Sequence, residues 1–210
     1  MVPAFSGGVW YMVTYIIGDV LTSIYQPFLF ALTLTVFVMF FFIYTHEHGW
    51  SLHESASRGA RTWIEAFRTS KLFRIEFLLV LFVVLVFFKT LYSRDIWFDP
   101  LSDVLGGWGL YDRDGKFTAE AVENFILFVP FGLLLSDVLC RRGSVAGTEA
   151  RASAFMKSVQ ASALLSLFIE CSQLLFHLGT FQLSDLAYNT AGGLVGASAY
   201  YLVSRRREGR

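Results

Sequence analysis

SVQASALLSLFIECSQLLFHLG, residues 158–179, decides the fold: an apolar run of membrane-spanning length with one carboxylate, Glu170, near its middle. At 1.5 Å rise per residue a helix of this length crosses a ~30 Å hydrocarbon core. An acid at that depth costs several kcal/mol unless it is protonated, paired or lining a cavity, which makes Glu170 a functional candidate.

Working outward, four further runs have spanning length: about Pro27 to Tyr44, Phe73 to Tyr92, Ala121 to Cys140, and Leu186 to Val203. A shorter segment, Val9 to Tyr25, carries Gly18 and Asp19 and is followed closely by Pro27. It reads either as a sixth span in a tight hairpin or as an interfacial helix. The composition, 55% hydrophobic and 16% charged, concentrates its apolar residues in these runs and excludes a soluble core. The expectation is an all-α, polytopic membrane helix bundle with five or six transmembrane helices. Residues 1–72 form its N-terminal helix or helices and an amphipathic loop, 73–204 the main transmembrane domain, and 205–210 a basic tail.

The zero net charge conceals an asymmetry. Arg58, Arg61, Arg68 and Lys71 lie in one loop, Arg141, Arg142, Arg151 and Lys157 in another, and Arg205, Arg206, Arg207 and Arg210 in the tail. The intervening Ser93–Glu120 loop carries Asp95, Asp99, Asp103, Asp112 and Asp114. By the positive-inside rule the basic stretches and the C-terminus are cytoplasmic and the acidic loop is outside. No nucleic-acid partner follows from this balance. Within the first basic loop Ala60, Trp63, Ile64 and Phe67 recur at helical spacing, as in a helix resting in the inner headgroup region. The N-terminal Met1–Gly8 has no basic residue before its apolar stretch and does not read as a cleaved secretory signal.

Polar residues inside the runs converge on one level. Gln173 lies three positions after Glu170, on the same helical face and nearer the outside. Asp185 and Asn189 open the last run, Asn124 opens the third, and Arg94 closes the second. Together these six define a polar pocket in the outer half of the bundle. Helix-to-helix hydrogen bonding is the competing explanation for the amides, and helix capping for Asp185. Gly192 and Gly196 form a G-x-x-x-G beside Gly193 that lets a neighbouring helix approach closely and permits a homodimer, while Pro130 with Gly132 should bend or loosen the third span. Cys140 and Cys171 form no disulfide or metal framework. The cluster His46, Glu47, His48, His53 and Glu54 lacks an H-E-x-x-H spacing, and Asp112, Asp114 and Gly115 read as a turn rather than a calcium loop. No metal or cofactor is expected.

Three ordered motifs carry a resemblance: Asn124-Phe-Ile-Leu-Phe-Val-Pro-Phe-Gly132, Ile169-Glu-Cys-Ser-Gln173, and Asp185-Leu-Ala-Tyr-Asn189-Thr-Ala-Gly-Gly193, preceded by Thr90-Leu91 and Arg94. From about Thr90 to Tyr201 the chain resembles the VanZ-like family of bacterial membrane proteins. The resemblance implies a bacterial plasma-membrane location and a link to the cell envelope or to glycopeptide (teicoplanin) resistance; it supplies no reaction. Many members carry an arginine and an additional acid shortly before the final aspartate, where this chain reads GTFQLS at 179–184. Arg94 is the nearest replacement for that arginine. Three functions remain open. One is a non-enzymatic protein binding a glycopeptide or lipid-linked cell-wall precursor, one a membrane-embedded enzyme acting on a lipid or lipid-phosphate, and one a small proton-coupled transporter. The enzyme lacks an evident nucleophile or phosphate cradle, and the transporter lacks internal repeats.

Overall fold

A computed structural model describes residues 9–46, 52–92, 96–110, 118–143 and 147–208. Arg94 and Asp95, Glu47 and His48, and Asp112, Asp114 and Gly115 lie outside the described residues. The described chain is all-helical, in the order α1 (Val9–Tyr25), α2 (Phe28–His46), α3 (Leu52–Thr69), α4 (Lys71–Phe87), a π turn (Phe88–Tyr92), α5 (Glu120–Arg142), α6 (Thr148–Phe176) and α7 (Leu183–Glu208). Among the described residues α5 and α6 are long and apolar enough to cross a membrane, and shorter apolar helices cover Met12–Thr22 and Phe28–Phe41.

Local chemistry explains several boundaries. The Ser70 hydroxyl accepts a 3.2 Å hydrogen bond from the Phe73 amide and caps α4. Arg74 reaches back, its guanidinium donating to the carbonyls of Phe67 (3.1 Å) and Arg68 (2.9 Å) at the end of α3. A proline interrupts only its own backbone bond when the flanking turns pack, and α5 runs unbroken through Pro130. The α6 helix begins ten residues before the apolar run suggests, because the polar turns holding Glu149, Arg151 and Lys157 continue the same helix.

Two apolar clusters hold the bundle. In one, Ala31 and Met39 of α2 meet Phe77, Leu81 and Leu85 of α4; in the other, Val86 of α4 meets Leu127, Phe128 and Phe131 of α5 and Ile169 of α6. The amphipathic stripe on α3 divides between protein and surroundings. Trp63 and Phe67 stack at 5.2 Å and pack edge-on against Phe77 of α4, so much of that apolar area is buried within the bundle. Ile64 stays 48% exposed.

Glycine sets the closest approach. A Cβ on Gly192 would strike the Phe125 carbonyl oxygen, one on Gly196 the Val129 carbonyl oxygen, and one on Gly132 the Gly193 carbonyl oxygen. Successive turns of α7 thus face successive turns of α5 in the same direction, backbone against backbone. A Cβ on Gly193 would strike the Ser162 hydroxyl of α6. Among the described residues these three helices approach one another most closely and set the position of the polar residues.

Candidate functional site

Ser158, Ser162, Ser166 and Glu170 recur every fourth residue along α6 and form one continuous buried stripe. Small hydroxyls suit a surface approached this closely, and each works against a neighbour. The Ser136 hydroxyl of α5 donates to the Gly132 carbonyl at 2.8 Å and shares a 2.9 Å hydrogen bond with the Ser158 hydroxyl, Ser162 faces Gly193, and Asn189 of α7 donates through Nδ2 to the Ser166 hydroxyl at 2.9 Å. Glu170 completes the stripe at the end of the bundle where α6 finishes and α5 and α7 begin, here called the upper end.

Glu170 is 1% exposed, so its carboxylate depends on protein for solvation. Its Oε2 accepts a 2.7 Å hydrogen bond from the backbone amide of Gln182, the residue preceding α7. The chain leaving α6 therefore folds back over the acid. His177 supports that turn in the left-handed region, with φ 55°, while the following Leu178 amide donates to the Gln173 carbonyl at 2.9 Å.

A second loop fastens the first. The Trp97 amide donates to the His177 carbonyl at 2.7 Å, the Phe181 amide to the Pro100 carbonyl at 2.9 Å, and the Leu183 amide to the Val104 carbonyl at 2.9 Å. The Tyr188 hydroxyl accepts from the Gly109 amide at 2.9 Å. Gly106, with φ 71°, passes so close to Ser184 that a Cβ would strike its hydroxyl. Residues 96–110 thus strap the 177–183 turn down over Glu170.

The remaining residues singled out in the sequence also cluster at this end but do not all face one another. Gln173 turns toward the π turn, where its Nε2 donates to the Thr90 carbonyl at 2.7 Å. Asn189 is tied to Ser166, a turn below Glu170. Asp185 is buried in the first turn of α7, where a negative charge complements the helix dipole. Asn124 is buried in the first turns of α5, and its Nδ2 makes no hydrogen bond among the described residues. Arg94 cannot be placed relative to them.

The described cation at this level is Lys89, on the π turn, whose Nζ lies 3.0 Å from Glu123 Oε2 of α5. Neither residue stood out in the sequence. The available signal was one basic and one acidic residue inside apolar runs, each next to a residue of the resemblance motifs, Thr90 and Asn124.

An all-helical chain carrying two helices of membrane length, with buried polar residues between closely packed helices, has the makeup of an integral membrane protein. The chain belongs to the VanZ/LLP1 family, whose sequence pattern matches residues 28–204. The match therefore takes in α2, α3 and α4, ahead of the motifs that begin at Thr90. The chain is similar to protein VanZ of Enterococcus faecium, with 30% identity over 95 residues, 45% of this chain and 52% of that protein. It spans about half the length of that relative. No solved structure matches.

Proposed function

We propose that this chain is a multi-pass bacterial plasma-membrane protein, with five or six spans and a cytoplasmic C-terminus, that acts without catalysis on a cell-envelope ligand and contributes to glycopeptide (teicoplanin) tolerance. The observation that carries this reading is Glu170, a carboxylate enclosed at the upper end of the bundle and covered by a strapped turn. The basic loops and tail lie at the other end, so the positive-inside rule directs the Glu170 end outward, toward the leaflet where glycopeptides meet lipid-linked precursors. Opening of the 177–183 turn then exposes Glu170 to an outward-facing polar pocket, with Gln173, Asp185, Asn189 and Asn124 at the same end of the bundle. Family membership and the similarity to protein VanZ support the envelope role.

The test is binding by the full chain in lipid nanodiscs, with labelled teicoplanin and a labelled lipid-linked precursor as separate probes. Saturable binding of either probe, weakened at least tenfold by Glu170→Gln or Asp185→Asn, is expected. Equal binding by wild type and both variants, or turnover of the precursor, refutes the reading.

A further inference from the structure

The strap over Glu170 turns its large apolar side chains outward. Ile96, Trp97, Phe98, Leu101, Leu105 and Trp108 are each more than half exposed, and Phe98 is 93% exposed. An apolar patch of this kind marks contact with a partner or with a membrane. The backbone that presents these side chains is already partnered at several points. The Ser102 amide donates to the Asp99 carbonyl at 3.2 Å and the Gly106 amide to the Asp103 carbonyl at 3.1 Å, while the amides of Trp97 and Gly109 are taken by His177 and Tyr188. Those amides need no water, so the side chains can meet an apolar medium without stranding them. Trp108 also lies beside the Tyr188 ring, with centroids 5.9 Å apart.

Position and charge select the medium. The α6 helix ends at Phe176 and α7 begins at Leu183, and the strap is hydrogen-bonded to His177, Phe181 and Leu183, so it lies level with these helix ends. Irregular backbone is not tolerated against lipid within the hydrocarbon region, whereas tryptophan and other amphipathic rings gather at its boundary with the headgroups. The patch also continues the exposed apolar surface of α6, because Trp97 is bonded to the residue that follows the exposed Leu175 and Phe176. One bilayer surface accommodates the strap and this helix end together. Residues 96–110 include Asp99 and Asp103 and no basic residue, so attachment draws on apolar burial and not on attraction to anionic headgroups. We propose that residues 96–110 are an interfacial anchor whose apolar side chains insert between the headgroups and upper acyl chains of the outer leaflet. The inference rests on the multi-pass reading with the Glu170 end outward. Through the hydrogen bonds to the 177–183 turn, the leaflet then helps to hold the cover of Glu170 in place.

The test uses the full chain in nanodiscs containing nitroxide-bearing lipids, with no ligand added, so that it does not depend on what the upper end binds. Phe98→Cys, Leu105→Cys and Leu164→Cys are introduced singly in a Cys140→Ser/Cys171→Ser background and labelled with an environment-sensitive fluorophore. Leu164 is an exposed residue near the middle of α6 and reports on the span itself. The labels at 98 and 105 should lose most of their emission to a nitroxide carried near the headgroup and little to aqueous iodide, and the label at 164 should lose most to a nitroxide near the chain end. A second readout follows the cover. Phe98 makes little contact with protein, so Phe98→Ser removes little besides contact with lipid, and it should speed hydrogen exchange severalfold at the Phe181 and Leu183 amides while amides in the middle of α5 stay protected. Labels at 98 and 105 that respond to iodide and not to lipid nitroxide, beside a label at 164 that does respond to lipid, overturn the anchor and leave the multi-pass reading standing. A label at 164 that is also untouched by lipid nitroxide overturns both. Unchanged exchange in Phe98→Ser overturns the hold of the leaflet on the Glu170 cover.

Discussion

Alanine at Gly192 or Gly196 should loosen the bundle, whereas alanine at Gly18 should tighten it. All three glycines are helical, so each substitution gains about 1 kcal/mol from helix propensity. What differs is the space around the added methyl group. At Gly18 a Cβ meets nothing within 4 Å. At Gly196 it strikes the Val129 carbonyl oxygen and comes within 2.8 Å of the Leu133 amide nitrogen, and at Gly192 it strikes the Phe125 carbonyl oxygen. These are backbone atoms and cannot rotate aside, so α5 and α7 must separate by roughly 1 Å to restore ordinary carbon contact. Overpacking of this kind costs about 1–3 kcal/mol, and the separation also strains the Asn189 to Ser166 bond one turn above. The net expectation is a loss of up to about 2 kcal/mol for each α7 variant and a gain of about 1 kcal/mol for Gly18→Ala. The double variant Gly192→Ala/Gly196→Ala should cost less than the sum, because one displacement relieves both clashes. Denaturant titration in mixed micelles, read by tryptophan fluorescence, measures all four proteins. If Gly192→Ala and Gly196→Ala are stabilised as much as Gly18→Ala, the close α5–α7 packing is wrong.

Removing the Ser166 hydroxyl with Ser166→Ala takes the acceptor from Asn189 and should cost about 0.6 kcal/mol, and no more than ~1.7, in the same titration. Gly106→Ala forces a left-handed backbone onto a residue with a Cβ and a clash with Ser184, so the strap should loosen. Hydrogen exchange should then accelerate at the amides of Phe181 and Leu183, which donate to the strap, while amides in the middle of α5 stay protected. The Arg142 to Glu76 pair, 2.6 Å apart with Arg142 half exposed, should contribute under about 1 kcal/mol in a double-mutant cycle with Arg142→Gln and Glu76→Gln.

Residue types with strong physical preferences were legible in the sequence. Glu170 stands out because acids are rare in apolar runs, and the Gly192/Gly196 spacing because only glycine permits backbone contact; the structure buries the first and sets the second against α5. Features made by pairing distant segments were not legible. The strap over Glu170 is built mainly from backbone amides and carbonyls, which nearly every residue carries, so nothing in residues 96–110 names 177–183 as its partner. Lys89 and Glu123 pair across 34 positions, and helical periodicity relates only residues on one helix. The stripe Ser158, Ser162, Ser166 was present in the letters, but serine is common enough in helices that the spacing acquires meaning only against Gly193 and Asn189. For α3, periodicity identified an apolar face without saying what covers it, and Phe73 and Phe77 of α4 take Trp63.

Glycopeptide susceptibility of a host whose teicoplanin tolerance depends on this chain tests the role of the upper end most directly. Wild type is compared with Glu170→Gln, Asp185→Asn and Arg94→Ala, all matched for membrane abundance. Loss of most of the tolerance in Glu170→Gln and Asp185→Asn, at wild-type protein levels, is the expected result. Undiminished tolerance in all three variants contradicts a functional site built around Glu170.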